Sequence, residues 1–484
     1  MVRRFRANTV YVFLMVVGIV HVNGASATQA QTSEQQEARE TLQKVVQFYR
    51  SSVGYQGAYL WTYAADLSAQ QGEEVASRTS GWTQPPGTPS VGEAYLEAWR
   101  LSGDPVCLEA AIECAQALVK TQLRSGGWYA HIDLSEEGRK KYNYRHGGDS
   151  DSRHNYTTFD DNKSQSAMTL LMHVDEATGF RNDEIHEAVV YGLASFLKAQ
   201  YPNGGWPQQY REFPDPDEFP VMKATIPEAW PRTFPGAKYV SFYTLNDGNM
   251  SRLVEMFLEA HRIYGDETYL NAALKTGDFF CLAQLPEPQP GWAQQYDSQM
   301  HPVWARKFEP PSITGLESQG VMQTLLLLYE VTGNRKYLDP IEPALKYYQR
   351  LELPDGQLAR FYELHTDKPL YFDRQYQLTY SDSDTPTHYG FKVSNGLKKI
   401  VQRYQQLQQQ NVPIVRGARH ASPVKRTTKV VRQAQDVIRK LDARGAWVES
   451  GRMEHSDQPL DVLQMKTLVR NLPAIAALAG AVEQ

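Results

Sequence analysis

The sequence predicts an all-α protein, an α/α toroid (a barrel of repeated helical hairpins) with long loops at one end. Two observations carry that expectation: one unit recurs along the chain, and no stretch sustains strand alternation. Residues 103–128, 179–206 and 265–292 are copies of each other. Each opens at a helix-ending glycine (Gly103, Gly179, Gly265) and closes in a Gly-Trp turn at Trp128, Trp206 or Trp292. Between those points lie about 18 residues of helical period. A fourth copy opens at Gly333, but its turn reads Pro354-Asp355-Gly356.

From the start of the chain, Arg3, Arg4 and Arg6 precede an apolar run from Val10 to Val20 and the small residues Ala25-Ser26-Ala27. That is the pattern of a signal peptide over 1–27, with export (periplasmic or extracellular) as its consequence. The run is too short to span a membrane comfortably. Residues 30–50 read as helical. A helix then precedes each repeat glycine, in EAYLEAWRLSG, AMTLLMHVDEATG, LVEMFLEAHRIYG and MQTLLLLYEVTG. The unit is therefore a hairpin of roughly 70–85 residues, longer than common solenoid repeats. Hairpins in series make a toroid or an open solenoid, and long loops gathered at one end favour the toroid, whose mouth they would surround. The domain reading is a toroid over 28–404, a polar basic linker over 405–428 and a helical tail over 429–484.

With 484 residues, 41% of them hydrophobic, the chain can bury a large core. The net charge of −5 gives no basic footprint for nucleic acid. Cys107, Cys114 and Cys281 are too few and too helical in context for a disulfide framework, and read as small buried hydrophobes.

Asp161 and Asp247 each lie 18 residues before the glycine that closes their helix. Two carboxylates in the same register of adjacent repeats would share one mouth, where they could hold Ca²⁺ or act as an acid/base pair. Carboxylates at a helix start are also ordinary N-caps, worth about 1 kcal/mol each, and on spacing alone that reading leads. Arg306, Arg360 and Arg374 fall in loops after the third and fourth turns. Guanidinium groups at one mouth would suit a polyuronate, through bidentate bonds to carboxylates; singly, each is an ordinary surface cation. His388-Tyr389 offers a proton-transfer pair or simple packing.

The segments TTFDDN, YPNGGWPQ, YTLND, PGWAQQYD, ARKFEPPS, ESQGVM and ARFYEL occur in consistent order over roughly 150–395. They resemble pectate lyases of polysaccharide lyase family 10. The resemblance implies an α/α toroid-like fold and β-elimination on a polygalacturonate-type, acidic polysaccharide. It implies Arg306 as the base, Asp161 and Asp247 as Ca²⁺ and substrate ligands, and Arg360 and Arg374 as holders of substrate carboxylates. An arginine base, with a free pKa above 12, would need a crowded cationic site that favours its neutral form. Two departures stand out. Asp247-Gly248 replaces two consecutive acids of the family, which weakens Ca²⁺ binding, and residues 213–236 read as an insertion forming a lid or subsite wall. Residues 50–130 do not match the family; Glu93 there is either a cleft residue or an exposed helical one. Three rivals remain: a glycoside hydrolase using Asp161 and Asp247, or Glu309 or Glu317; a different uronate lyase with Tyr389 or His388 as base; and a non-catalytic polyuronate-binding protein.

Overall fold

The computed structural model describes residues 20–147, 150–236, 238–409, 424–454, 456 and 458–482. Most of the expected signal peptide and residues 410–423 of the expected linker lie outside them. The described α-helices are α1 Val20–Phe48, α2 Thr88–Ser102, α3 Pro105–Thr121, α4 Glu136–Lys141, α5 Lys163–Ala177, α6 Asp183–Ala199 and α7 Asn249–Tyr264. They continue as α8 Glu267–Ala283, α9 Gly315–Thr332, α10 Ile341–Gln349, α11 Leu397–Gln409, α12 Thr428–Ile438 and α13 Met465–Ala479.

The fold is an α/α toroid, and the four expected hairpins are α2/α3, α5/α6, α7/α8 and α9/α10. The repeat glycines make the reversals. Gly103, Gly179, Gly265 and Gly333 all take left-handed φ values between +64° and +70°, a region that a side chain penalises and glycine does not. An Asp or Asn follows to start the next helix: Asp104 accepts from the Val106 N–H at 3.1 Å and Asp266 from Thr268 at 2.8 Å. Such caps satisfy amides that no helical carbonyl can reach.

Side chains from α2, α5, α7, α9, α11 and α13 line one central cavity of about 1000 Å³. The helices α3, α6, α8 and α10 back their hairpin partners from outside, while α1 and α12 pack against α13 and α13 packs against α2. A four-stranded sheet adds to that junction by pairing Thr62–Ala64 with Leu460–Gln464. Among the described residues, no helix is long and apolar enough to cross a membrane. Cys107 and Cys114 are buried and unpaired, and Cys281 is half-buried and unpaired.

The Gly-Trp turns build the mouth. Trp128, Trp206 and Trp292 are fully buried, and each indole N–H has an acceptor: Leu118 O at 2.9 Å, Thr276 Oγ1 at 2.9 Å and Phe280 O at 2.7 Å. Their carbonyls accept the backbone N–H of Thr158, Thr244 and Thr314 at 3.1, 3.1 and 2.9 Å. Each turn thus pins the start of the next hairpin. Short ladders, Thr157–Thr158 with Gln209–Tyr210 and Tyr243–Thr244 with Gln295–Tyr296, extend the same rim.

Candidate active site

Counting three residues from each pinned threonine lands on an acid: Thr158 to Asp161, Thr244 to Asp247, Thr314 to Glu317. The first two sit in one-turn 3₁₀ segments ahead of α5 and α7, with left-handed φ of 49° and 52°. Neither is the residue that starts its helix, and no side-chain cap bond forms at either helix start. The capping reading therefore fails. Two non-glycine residues held at positive φ in the same register instead mark a site whose surroundings fix the backbone.

Asp161 and Asp247 meet, joined by Asp160, so that oxygens of the three lie within 4.8 Å of one another. Spacing did not single out Asp160, although the doubled acid of TTFDDN was its signal. Lys163 Nζ reaches Asp160 at 2.9 Å and Asp161 at 3.4 Å, while Gln84 donates to Asp161 at 3.2 Å and Gln208 to Asp160 at 3.0 Å. Asn246 donates to Asp247 at 2.6 Å. Burial, and then the charge of Asp161, push Asp247 up to about 6, against the pull of Arg360 and Arg306.

Glu317 completes the register. It is buried, neither carboxylate oxygen has a partner in hydrogen-bonding geometry, and burial pushes it up to about 7 with Arg360 opposing and Asp247 adding. With Asp161 and Asp247 it lines a cavity of about 990 Å³. Arg360 is also buried, its Nε likewise lacks a partner, and its guanidinium lies 4.5 Å from the Tyr389 ring. Buried polar groups without partners carry a penalty of about 1–3 kcal/mol each; their concentration here suits a cleft that completes its hydrogen bonds with a ligand.

Arg306 meets an anion and not the crowd of cations expected of it. Its Nε and Nη2 bond Glu309 at 2.9 and 2.5 Å, its backbone N–H bonds the same carboxylate at 3.1 Å, and the Tyr389 hydroxyl donates to it at 3.0 Å. Burial works against the guanidinium charge, but Glu309 outweighs it and raises the arginine above its ordinary range. Tyr389, raised by burial and then by Glu309, is a donor in this arrangement and a poor base. His388 is exposed and stands edge-on to Phe308. Arg374 does not join the group: it is exposed and pairs with Asp384 at 3.1 Å.

Below the mouth, Glu93 reaches the central cavity. His173 on α5 bonds Glu93 of α2 at 2.7 Å and Glu259 of α7 at 2.8 Å. Arg262 bonds Glu259 and grips Glu176 with two contacts of 2.7 Å. Burial alone would lower His173, but the two glutamates prevail and raise it to about 9.

A family model described as pectic acid lyase matches residues 122–401, more than half of the chain. No curated protein matches the sequence. Among solved structures, a family 10 polysaccharide lyase from Cellvibrio cellulosa aligns with TM-score 0.47 and 18% identity, covering 66% of this chain and 95% of that one. A mutant of a family 10 polysaccharide lyase from that organism, in complex with trigalaturonic acid, aligns with TM-score 0.46 and 18% identity, covering 66% and 98%. A GH76 alpha-mannanase from Bacteroides thetaiotaomicron aligns with TM-score 0.39 and 12% identity, covering 93% and 95%.

Proposed function

This chain belongs to the pectic acid lyase family, a family of polysaccharide lyases, and from that premise we propose that it cleaves a polygalacturonate-type polymer by β-elimination. The observation that supports this most is the single mouth at which Asp161, Asp247 and Glu317, from three successive repeats, line one cavity, with Arg360 and Arg306 acting on Asp247. An anionic polymer needs its carboxylates neutralised there, and arginine does so with directional bonds.

The proton at C5 is acidic because its loss spreads charge into the neighbouring C6 carboxylate. The C5–H electron pair becomes the C4=C5 bond as the C4–O4 bond breaks, the bonding pair leaving on O4 of the released sugar, which takes a proton from water. Arg306 is our proposed base and Arg360 the cation facing the developing charge. Since Glu309 favours the guanidinium, Arg306 acts from a minority neutral form, and the rate is expected to rise with pH. Asp160, Asp161 and Asp247 form an all-oxygen donor set that fits Ca²⁺, with Gly248 limiting its charge. Bound there, Ca²⁺ would supply positive charge for the substrate carboxylate. Arg374, exposed on the outer loops, is assigned a weaker substrate contact. Export through the N-terminal segment belongs to the same proposal.

The hydrolase reading is less favoured. Glu309 is locked to Arg306, and the aspartate oxygens, within 4.8 Å of one another, are too close for an inverting pair at about 6.5–9.5 Å; a retaining pair, at about 5–5.5 Å, is separated from elimination by its product, which carries no chromophore. The test is absorbance at about 230–240 nm, where the conjugated elimination product should absorb, on mixing protein with polygalacturonate. A rise abolished by Arg306→Ala and reduced by EDTA is the expected result. Silence on polygalacturonate and on other uronates would remove elimination.

A further inference from the structure

The first repeat carries a charge pair that the next two lack. Two residues after each pinned threonine stand Asp160, Asn246 and Leu316, and five residues after it stand Lys163, Asn249 and Gln319. A carboxylate and an ammonium therefore enter together in one repeat, where the following repeat has two amides. Local preference argues against a lysine at the first residue of α5. A cation there faces the positive end of the helix dipole, and a lysine is rarely buried unless its charge is paired. Lys163 is nonetheless 6% exposed. Its Nζ bonds Asp160 Oδ2 at 2.9 Å and Asp161 Oδ2 at 3.4 Å.

Those contacts fall on the carboxylates that a metal would use. Asp160, Asp161 and Asp247 each offer an oxygen within 4.8 Å of the others, and ionised groups so close repel one another. Lys163 offsets one of those negative charges. It also takes up ligand capacity. Asp160 has a donor on each oxygen, Lys163 on Oδ2 and Gln208 on Oδ1 at 3.0 Å. Asp161 Oδ2 accepts from Gln84 at 3.2 Å as well as from Lys163. A divalent cation entering the cluster has to share these carboxylates with the ammonium, which repels it as a like charge.

We propose that Lys163 is a resident cation of the carboxylate cluster, a positioning residue that holds Asp160 and Asp161 in place without metal and sets a weak affinity for Ca²⁺. The proposal rests on the reading of Asp160, Asp161 and Asp247 as calcium ligands. Its consequence is that part of the elimination activity survives in EDTA, because this cation is carried by the chain itself.

The experiment titrates Ca²⁺ by isothermal calorimetry into wild type, Lys163→Met and Lys163→Arg, each stripped with EDTA and dialysed, and so reads affinity without turnover. Removing the like charge should lower the Kd for Ca²⁺ about tenfold or more in Lys163→Met, while Lys163→Arg, which keeps the charge, should stay within about threefold of wild type. In the chromophore assay with EDTA, wild type should keep part of its rate, and Lys163→Met should lose that part and regain it on adding Ca²⁺. A Kd in Lys163→Met within about twofold of wild type, or a rate in EDTA equal to that of wild type, would overturn the proposal. If Lys163→Met does not fold in EDTA, recovery of its thermal transition with Ca²⁺ supports the resident-cation role, and failure to recover overturns it. Ca²⁺ binding in none of the three proteins would overturn the calcium reading together with this one, an outcome distinct from equal binding in all.

Discussion

Replacing His173 by Gln tests the charged staple beneath the site. The imidazole is almost fully buried (side chain 3% exposed) between Glu93 and Glu259, and its rise from 6.5 to about 9 makes its contribution depend on pH. The folded pKa lies above the unfolded one, so the stabilisation is complete below pH 6.5 and is lost as pH rises through 9. At 1.36 kcal/mol per tenfold change, it amounts to about 3 kcal/mol at pH 6, about 1.5 at pH 8 and near zero at pH 10. Glu93 is 31% exposed, and water screens that arm, so these are upper values. Glutamine can serve one carboxylate with its amide and strands the other, which adds a cost of about 1–3 kcal/mol that does not vary with pH. Urea unfolding followed by tryptophan fluorescence, at pH 6, 8 and 10, should therefore show a stability gap between wild type and His173→Gln that narrows by about 2–3 kcal/mol across the series. A gap constant in pH, or widest at pH 10, would refute the reasoning. The staple also joins α2, which precedes the family-matched segment, to α5 and α7 within it. A loosened α2 would carry Gln84 away from Asp161, so activity should fall with stability.

Glu309→Gln should lower kcat for elimination at least tenfold at pH 7, because Arg306 loses its anchor; the guanidinium titrates far above the accessible range in both proteins, so their rates should rise with pH in parallel and the deficit should stay constant. A wild-type rate that does not rise with pH, measured from the chromophore, would instead mark Arg306 as working in its cationic form. Glu317→Gln should stabilise the fold above pH 7. The raised pKa of about 7 means the folded state prefers the protonated acid, so stability is greatest below about 4.5, falls through 7, and the ionised form costs about 3 kcal/mol beyond that. Denaturant midpoints in EDTA at pH 4 and pH 8.5 check it, and an equal gain at both would sink the account.

How much of this could be read in the sequence depended on which physical constraint left a mark. The hairpins were legible because a helix that ends in a left-handed residue needs glycine, and a Trp that pins the next hairpin recurs in register; Gly103, Gly179, Gly265 and Gly333 record the first need and Trp128, Trp206 and Trp292 the second. Asp161 and Asp247 were legible for the same reason. Their N-cap alternative failed on backbone conformation, since spacing gives distance along the chain and says nothing of φ. Glu317 entered only as an acid of the rival hydrolase and not in register with the aspartates, because the count was taken from the closing glycine, which α9 places two residues nearer; counted from the pinned threonine, the three acids fall in line.

The partners of the arginines were not legible, because nothing in ARKFEPPS says whether Glu309 turns toward Arg306 or toward solvent. The backbone decides it: the Glu309 N–H bonds Arg306 O at 2.9 Å and the Ala305 N–H bonds Glu309 O at 3.2 Å, folding the carboxylate beneath the guanidinium. That inverts the electrostatic expectation for Arg306. A crowd of cations would have made the neutral form cheap in the resting protein, whereas a buried carboxylate keeps the arginine charged. It also leaves a distinct role for Glu317 and Arg360, since both Glu317 carboxylate oxygens and the Arg360 Nε are buried without a hydrogen-bond partner, although the two side chains act on each other electrostatically. A uronate carboxylate meeting Arg360 would satisfy the cation, while the pKa of Glu317 would respond to the same arrival, so substrate binding itself should move protons. Calorimetry of trigalacturonate binding to Arg306→Ala in buffers of different ionisation enthalpy would register that exchange without turnover, and a binding heat independent of buffer would remove the link.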